Sequence, residues 1–237
     1  MSTQTHPAER LNLYQSVHKG LRAFMADTVQ LVGATDPMDA SERDKALEQV
    51  RLLLSICEKH LSHENNFIHV AMERRSPGSA RQCQGDHVEH LAHIDQLGRL
   101  AEAAGMHEAA ASAAKGGAAW LALYHELSLF VADNLEHMML EESHNNRVLW
   151  AHYSDEELGG IHVALISSIP PEEMAVHFRW MLPSLSHPER VDMLAGMQQG
   201  MPEPVFHSQM AVAQTLLAPR AWQKLAGALR YQPGTHG

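Results

Sequence analysis

The stretch HLSHE, residues 60–64, places a histidine and a glutamate four positions apart within a long apolar helical pattern. Residues i and i+4 of a helix project from the same face, so His60 and Glu64 can point at one spot. The stretch HMMLE, residues 137–141, repeats this arrangement. The spacing alone is weak evidence, because 18 histidines and 28 acidic residues in 237 positions give about two such pairs by chance (18 × 28 / 237).

The neighbours of these two pairs indicate that both face the protein interior. Each pair shares its helix face with apolar residues: Leu53, Ile56, Cys57, Phe67 and Ala71 around His60, and Leu127, Phe130 and Val148 around His137. A buried carboxylate without a partner is very unfavourable, so two of them, each beside a histidine, require a shared cation. A further pair, His152 and Glu156, straddles a helix start at Ser154, and we expect no site there.

The first and third predicted helices supply further candidate ligands. His18 shares a face with Leu11, Tyr14, Leu21 and Met25, and His87 shares one with Leu91, Ile94 and Leu97. His90 follows His87 at i+3, which is also the same face. One inward histidine per helix with two carboxylates fits two metal ions in a bundle core. Imidazole and carboxylate together suit iron, manganese or zinc.

The hydrophobic periodicity predicts an all-α fold. We expect helices over about 8–33, 41–75, 82–104 and 118–152, the second capped by Ser41, with a break at 76–80 and a loop at Gly116–Gly117. Ser154 and Glu157 form a capping-box signal for a fifth helix, and short helices divided by prolines follow. The chain is therefore predicted to be an up-and-down four-helix bundle, residues 8–152, with a helical C-terminal extension, residues 153–232.

Composition excludes several classes of protein. The formal charge of −10 argues against a nucleic-acid-binding surface. The most apolar stretch, WLALYHELSLFVADNL, carries His125, Glu126 and Asp133, so we expect no membrane span. The N-terminus has no apolar segment of signal-peptide type, and Cys57 and Cys83 do not make a disulfide framework. We therefore expect a cytoplasmic protein.

With these motifs in order, one set per helix over about residues 8–152, the chain resembles the hemerythrin-like (HHE cation-binding) domain family. It resembles bacterial members of the family that carry a helical C-terminal extension. The motifs that carry the resemblance are His18 in HKGLR, the pair in HLSHE, His87 in DHVEHLAHIDQL and the pair in HMMLEE. The resemblance implies a non-heme di-iron centre (Fe2+/Fe3+) in which Glu64 and Glu141 bridge the ions, with an oxo or hydroxo group as a further bridge. The histidines would be terminal ligands.

The third helix departs from the oxygen carriers of that family, which place His-x-x-x-His there. Position 91 is Leu in this chain, so we choose His90 as the fifth histidine, with His63 as the competitor. The predicted metal ligands are His18, His60, Glu64, His87, His90, His137 and Glu141. The other histidines of these helices are expected to be solvated: His63, His69, His93, His125, His144 and His152.

This ligand set predicts a site that binds O2 or a related small ligand, peroxide included, for oxygen or redox handling, sensing or iron homeostasis. Two alternatives stay open. One is a di-iron enzyme of the oxidase or peroxidase type. The other is a metal-dependent sensor or interaction module whose C-terminal helices contact a protein partner or a second copy. No residue pattern indicates a catalytic group or an organic substrate.

Overall fold

The computed structural model describes residues 10–106 and 113–231, and these contain helices and no strand, which confirms the all-α prediction. The helical segments of the bundle are α1 (Gln15–Ala34), α2 (Ala40–His63), π1 (Glu64–Ile68), α3 (His69–Arg75), α4 (Arg81–Gly105), α5 (Ala113–Leu140), π2 (Glu141–Asn145) and α6 (Asn146–His152). Five shorter helices follow: α7 (Asp155–Ser168), α8 (Pro171–Ser184), α9 (His187–Gly200), α10 (Glu203–Leu216) and α11 (Pro219–Ala228).

The helices divide into two compact units, and α1 contributes to both. Among the described residues, the first unit comprises 10–15, 24–106 and 113–170, and the second comprises 16–23 and 171–231. In the first unit α4 packs between α2 and α5, so side chains from three helices can meet on its inner face. A cluster of apolar side chains closes one end of this unit: Tyr14, Ile68, Ala71, Met72, Ala80, Leu149, Tyr153 and Leu158.

Two helix starts differ from the sequence prediction because side-chain hydrogen bonds near each start set the first helical residue. The first helix begins at Gln15 rather than near residue 8, since the Asn12 side chain accepts hydrogen bonds from the backbone N–H groups of Tyr14 and Gln15. Residues 8 and 9 themselves lie outside the described part. The second helix begins one residue earlier than expected. Its cap is Asp39, which accepts from the N–H groups of Ser41 and Glu42, whereas Ser41 lies inside the helix.

The expected loop at Gly116–Gly117 is wrong. The fourth predicted helix corresponds to α5, which already begins at Ala113, so both glycines lie in its first turns. Tertiary packing here overrides the weak helix propensity of glycine. Trp120 fixes this end of α5 by donating its indole N–H to the Val32 carbonyl at 2.9 Å. The capping box at Ser154 and Glu157 is confirmed at the start of α7.

Two π-helical turns interrupt otherwise regular helices of the first unit. Each begins at a glutamate: π1 at Glu64 and π2 at Glu141. In each turn a backbone N–H bonds to the carbonyl five residues back, from His69 to Glu64 and from Asn146 to Glu141. A π-turn inserts one residue into the helical repeat, so the residues after it change their phase relative to those before it.

The second unit has an apolar core of its own, formed by side chains of α8 to α11: Phe178, Leu182, Leu194, Phe206, Met210, Ala213, Leu217 and Leu225. The part of α1 that belongs to this unit packs closely on α8. A Cβ atom added at Gly20 would lie 2.8 Å from the Met181 side chain and 3.0 Å from its backbone nitrogen. Lys19 pairs with Glu189 at 2.5 Å. Within the described ranges, no helix is long and apolar enough to cross a membrane.

Candidate metal centre

Three helices of the first unit direct histidines and glutamates to one point in the bundle core. Helix α2 ends with His60 in its last turn, and Glu64 follows at the first position of π1. The last turn of α5 carries His137, and Glu141 opens π2. His87 lies on α4, between them. The pairs share a face because the helix stays α-helical up to each glutamate, so the i, i+4 relation holds.

The donor atoms of four residues lie close together and away from solvent. The exposed fraction is 1% for Glu64, 1% for His87, 5% for His137 and 0% for Glu141. Each offers one ligand atom within 4.8 Å of the others. His87 Nε2 lies 3.6 Å from Glu64 Oε2 and 3.5 Å from Glu141 Oε1, and His137 Nε2 lies 3.4 Å from Glu141 Oε1.

Neighbouring acceptors fix the protonation of both imidazoles in this group. His87 Nδ1 lies 2.9 Å from Asn65 Oδ1, and His137 Nδ1 lies 3.2 Å from Asp86 Oδ2. An amide or carboxylate oxygen accepts, so both Nδ1 atoms carry a hydrogen, and in the neutral form of each ring Nε2 presents a lone pair. Those two Nε2 atoms are 3.0 Å apart. Two facing lone pairs beside two carboxylates require a positive charge between them.

The same two carboxylates also belong to a second set of donors. His60 Nε2 lies 3.2 Å from Glu64 Oε1, and His60, Glu64 and Glu141 offer ligand atoms within 4.8 Å of one another. His60 thus belongs to one donor group with the glutamates, and His87 and His137 belong to the other. The two carboxylates are therefore shared between two groups of side chains that could hold a metal ion.

Comparison with known families agrees with this geometry. The sequence model of the hemerythrin HHE cation binding domain matches residues 11–149, more than half of the chain. The chain belongs to the hemerythrin HHE cation-binding family. This family binds metal cations, and the imidazole and carboxylate donors of the bundle fit a cation of that kind. Neither the curated proteins nor the solved structures return a match.

The remaining predicted ligands of this hemerythrin domain lie at buried positions. His18 is fully buried, but it lies in the part of α1 that belongs to the second unit, and its role as a ligand stays a prediction. His90 is 5% exposed and packs edge-on against the His137 ring at 4.8 Å. It belongs to none of the donor groups found among the described residues. His63, its competitor, is half-buried.

The buried stripe of α4 explains why position 91 cannot hold an inward histidine. The stripe runs through Cys83, His87, His90, Ile94, Leu97 and Ala101. Leu91 lies outside it, with 39% of its surface exposed. The expectation that Leu91 shares the inward face of His87 is therefore wrong.

One histidine expected to be solvated is fully buried in the hemerythrin site. His69 is 0% exposed, stacks on the His87 ring at 4.9 Å, and offers a ligand atom within 4.8 Å of those of Cys83 and Glu141. The sequence reasoning missed it because five residues of regular α-helix would turn it about 140° away from Glu64. Turn π1 restores it to the same face. No residue pattern around HLSHENNF marks that turn.

Burial and the two glutamates shift the pKa values of the surrounding groups. Burial alone would lower the pKa of His137, but its hydrogen bond to Glu141 and the charges of Glu141 and Glu64 raise it above the ordinary value. Burial, reinforced by the charges of Glu141 and Glu64, raises the pKa of Tyr14 well above its usual range. Its phenol therefore stays protonated, with its oxygen accepting from Asn145 Nδ2 at 3.0 Å.

The two cysteines near the centre are thiols rather than thiolates. Burial raises the pKa of Cys57 to about 12, and burial with the charge of Glu141 raises the pKa of Cys83 to about 12. Cys83 donates to Asn145 Oδ1 at 3.5 Å. Since the thiolate is the metal-binding form, either side chain would have to lose its proton before it could bind a metal.

Proposed function

We propose that this bundle holds two iron ions between Glu64 and Glu141 and binds O2 or a related small ligand there. The observation that carries the proposal is the 3.0 Å approach of two Nε2 lone pairs, from His87 and His137, beside two fully buried carboxylates. Iron bound by these side chains would supply the binding and reduction chemistry of O2. The protein residues supply position, charge and exclusion of water.

The two donor groups that share the carboxylates support two divalent cations rather than one. Two carboxylates contribute −2, and each imidazole is neutral when its Nε2 binds a metal. Two divalent ions would leave the site with about two positive charges in a bundle interior. Such a site attracts small anions and polarisable diatomic molecules. A single divalent ion would only neutralise the carboxylates and would leave one of the two donor groups without a cation.

The roles of the ligands follow from their positions. We assign the bridging role to Glu64 and Glu141, because both belong to each donor group. In this arrangement His60 would hold one ion, and His87 with His137 would hold the other. His18 is our further candidate for the ion on the His60 side, on the strength of the sequence pattern alone. An unequal number of imidazoles would leave one ion with a free coordination position for the small ligand.

Residues around the ligands hold their orientation. Asn65 and Asp86 accept from the Nδ1 atoms of His87 and His137, which keeps both Nε2 lone pairs directed inward. Asn145 donates to Tyr14 and accepts from Cys83, so it connects the segment before α1 to α4 across the core. The protonated Tyr14 phenol is close enough to both glutamates for their charges to raise its pKa. Its hydroxyl group would be able to donate to a bound anion.

The test is an optical spectrum of the protein loaded anaerobically with Fe(II) and then exposed to air, with iron counted per chain. Two irons and a visible band that disappears when O2 is removed would support reversible O2 binding. Irreversible conversion to a diferric spectrum, with peroxide formed or consumed, would favour the oxidase or peroxidase alternative. Two irons without a response to air would favour a sensory or structural metal. Fewer than two metals per chain would overturn the proposal.

A further inference from the structure

Turn π1 places a nitrogen donor in the core that neither the helical spacing nor the family pattern assigns. The backbone N–H of His69 bonds to the Glu64 carbonyl, so His69 lies directly one turn beyond the glutamate. His60 precedes the same glutamate by one α-helical turn. Three potential ligands therefore follow one another along a single face of one helix, two in α-helical spacing and one in π-helical spacing.

The environment of His69 leaves one of its nitrogens available. Its Nδ1 lies 3.0 Å from Asn65 Oδ1, so Nδ1 carries the hydrogen and Nε2 presents a lone pair. That Nε2 atom is buried and has no hydrogen-bond partner within residues 10–106 and 113–231. An acceptor buried in this way is unfavourable unless a cation or a donor meets it. His69 offers a ligand atom within 4.8 Å of those of Glu141 and Cys83, and the Cys83 thiol already donates to Asn145.

Asn65 links this histidine to the main donor group. Its side-chain oxygen accepts from both His69 Nδ1 at 3.0 Å and His87 Nδ1 at 2.9 Å. The two rings stack at 4.9 Å with an interplanar angle of 30°. A single amide oxygen therefore holds two imidazoles in the same tautomer, in which Nε2 carries the lone pair.

We propose that His69 is a nitrogen ligand of the ion on the His87 side, and that Asn65 is the positioning residue that orients both His69 and His87. This inference rests on the proposed function, since it assumes a metal between the glutamates. It makes His69 the fifth histidine, in place of the one that oxygen carriers of the family carry on the third helix. His90 then has a packing role against Phe130 and His137.

The first experiment compares H69Q with H90Q, because each removes one buried imidazole whose ring packs against a histidine of the donor group. Iron per chain and the Kd of each ion are measured by competition with a chelator under anaerobic conditions. We expect H69Q to raise the Kd of one ion at least ten-fold and H90Q to change it less than about two-fold. Wild-type affinity in H69Q, or the reverse order of the two variants, would overturn the inference. A wild-type chain that takes up fewer than two ions would refute the proposed function instead.

A second measurement does not depend on the folding of H69Q. In the Co(II)-loaded protein, each ligating imidazole gives a strongly shifted Nδ1–H proton resonance that exchanges with solvent. Asn65 is only half-buried, so N65A should fold. We expect N65A to speed the exchange of two shifted resonances, those of His69 and His87. Acceleration of only one would show that His69 is not a ligand.

Discussion

Acid should destabilise the metal-free protein through His69, and the H69Q variant isolates this contribution. Burial, with the nearby His87 as a second cause, lowers the pKa of His69 from 6.5 to about 4. As the pH falls below 6.5, His69 becomes protonated in the unfolded chain, whereas in the folded protein it is protonated only at about pH 4. The stability due to the neutral imidazole is therefore complete above pH 6.5 and is lost between pH 6.5 and 4.

The size of the effect follows from the difference between the two pKa values. At about 1.4 kcal/mol per pKa unit, the shift of His69 corresponds to about 3 kcal/mol at the acid limit and about 2 kcal/mol at pH 5. Urea unfolding of the metal-free protein at pH 8 and pH 5 measures this loss. We expect the wild type to lose about 2 kcal/mol more than H69Q over that interval, since glutamine does not titrate.

Substitution of a buried ring lowers stability at both pH values, so only the change with pH carries the argument. H125Q is the matched control, because His125 is exposed on α5 and should keep the wild-type dependence on pH. Equal losses in the wild type and H69Q would refute the reasoning. That result would mean that the pKa of His69 is the same in the folded protein as in the unfolded chain.

Further consequences can be measured on the same protein. Chelation should lower the melting temperature measured by calorimetry, because iron at one hundred times its Kd stabilises the folded state by about 2.7 kcal/mol. E141Q should lower the pKa of His137 in an NMR titration of the metal-free chain, since Glu141 holds that pKa up. An unchanged pKa would contradict this assignment. Y14F should lower the free energy of unfolding by about 1–3 kcal/mol in urea with helicity intact, because the Asn145 amide loses its buried acceptor. G20A should be destabilising by about 1–3 kcal/mol, since its Cβ would collide with the Met181 backbone. The control G98A meets no atom within 4 Å and should be neutral or stabilising by up to about 1 kcal/mol.

The helices and the inward faces of the two His/Glu pairs could be predicted from the sequence because both depend on regular periodicity. Up to residues 64 and 141 each helix repeats every 3.6 residues, and apolar neighbours reveal which side is buried. The predicted capping box of α7 holds for a similar reason, since it needs only two residues three positions apart. Features that depend on distant packing were not predictable. The helical conformation of Gly116–Gly117 and the contribution of residues 16–23 to the second unit are examples.

The 3.6-residue helical repeat is interrupted at the two π-turns, which begin at Glu64 and Glu141. After Glu141 the inserted residue brings Asn145 and Asn146 into the core, and both are 0% exposed. After Glu64 the same insertion brings in His69. One turn thus supplies a hydrogen-bonding amide that joins Tyr14 to Cys83, whereas its counterpart supplies an imidazole.

A regular helix offers only positions at i+3, i+4 and i+7 on a given face, so it can surround a central carboxylate with few donors. The backbone bond from residue i+5 to residue i adds one more position directly above that carboxylate. The fifth histidine ligand can then come from the helical segment that already carries His60 and Glu64. Helix α4 therefore needs no second inward histidine, and Leu91 can face outward. We therefore interpret two features as parts of one arrangement: the departure from the family pattern on α4 and the π-turn at Glu64.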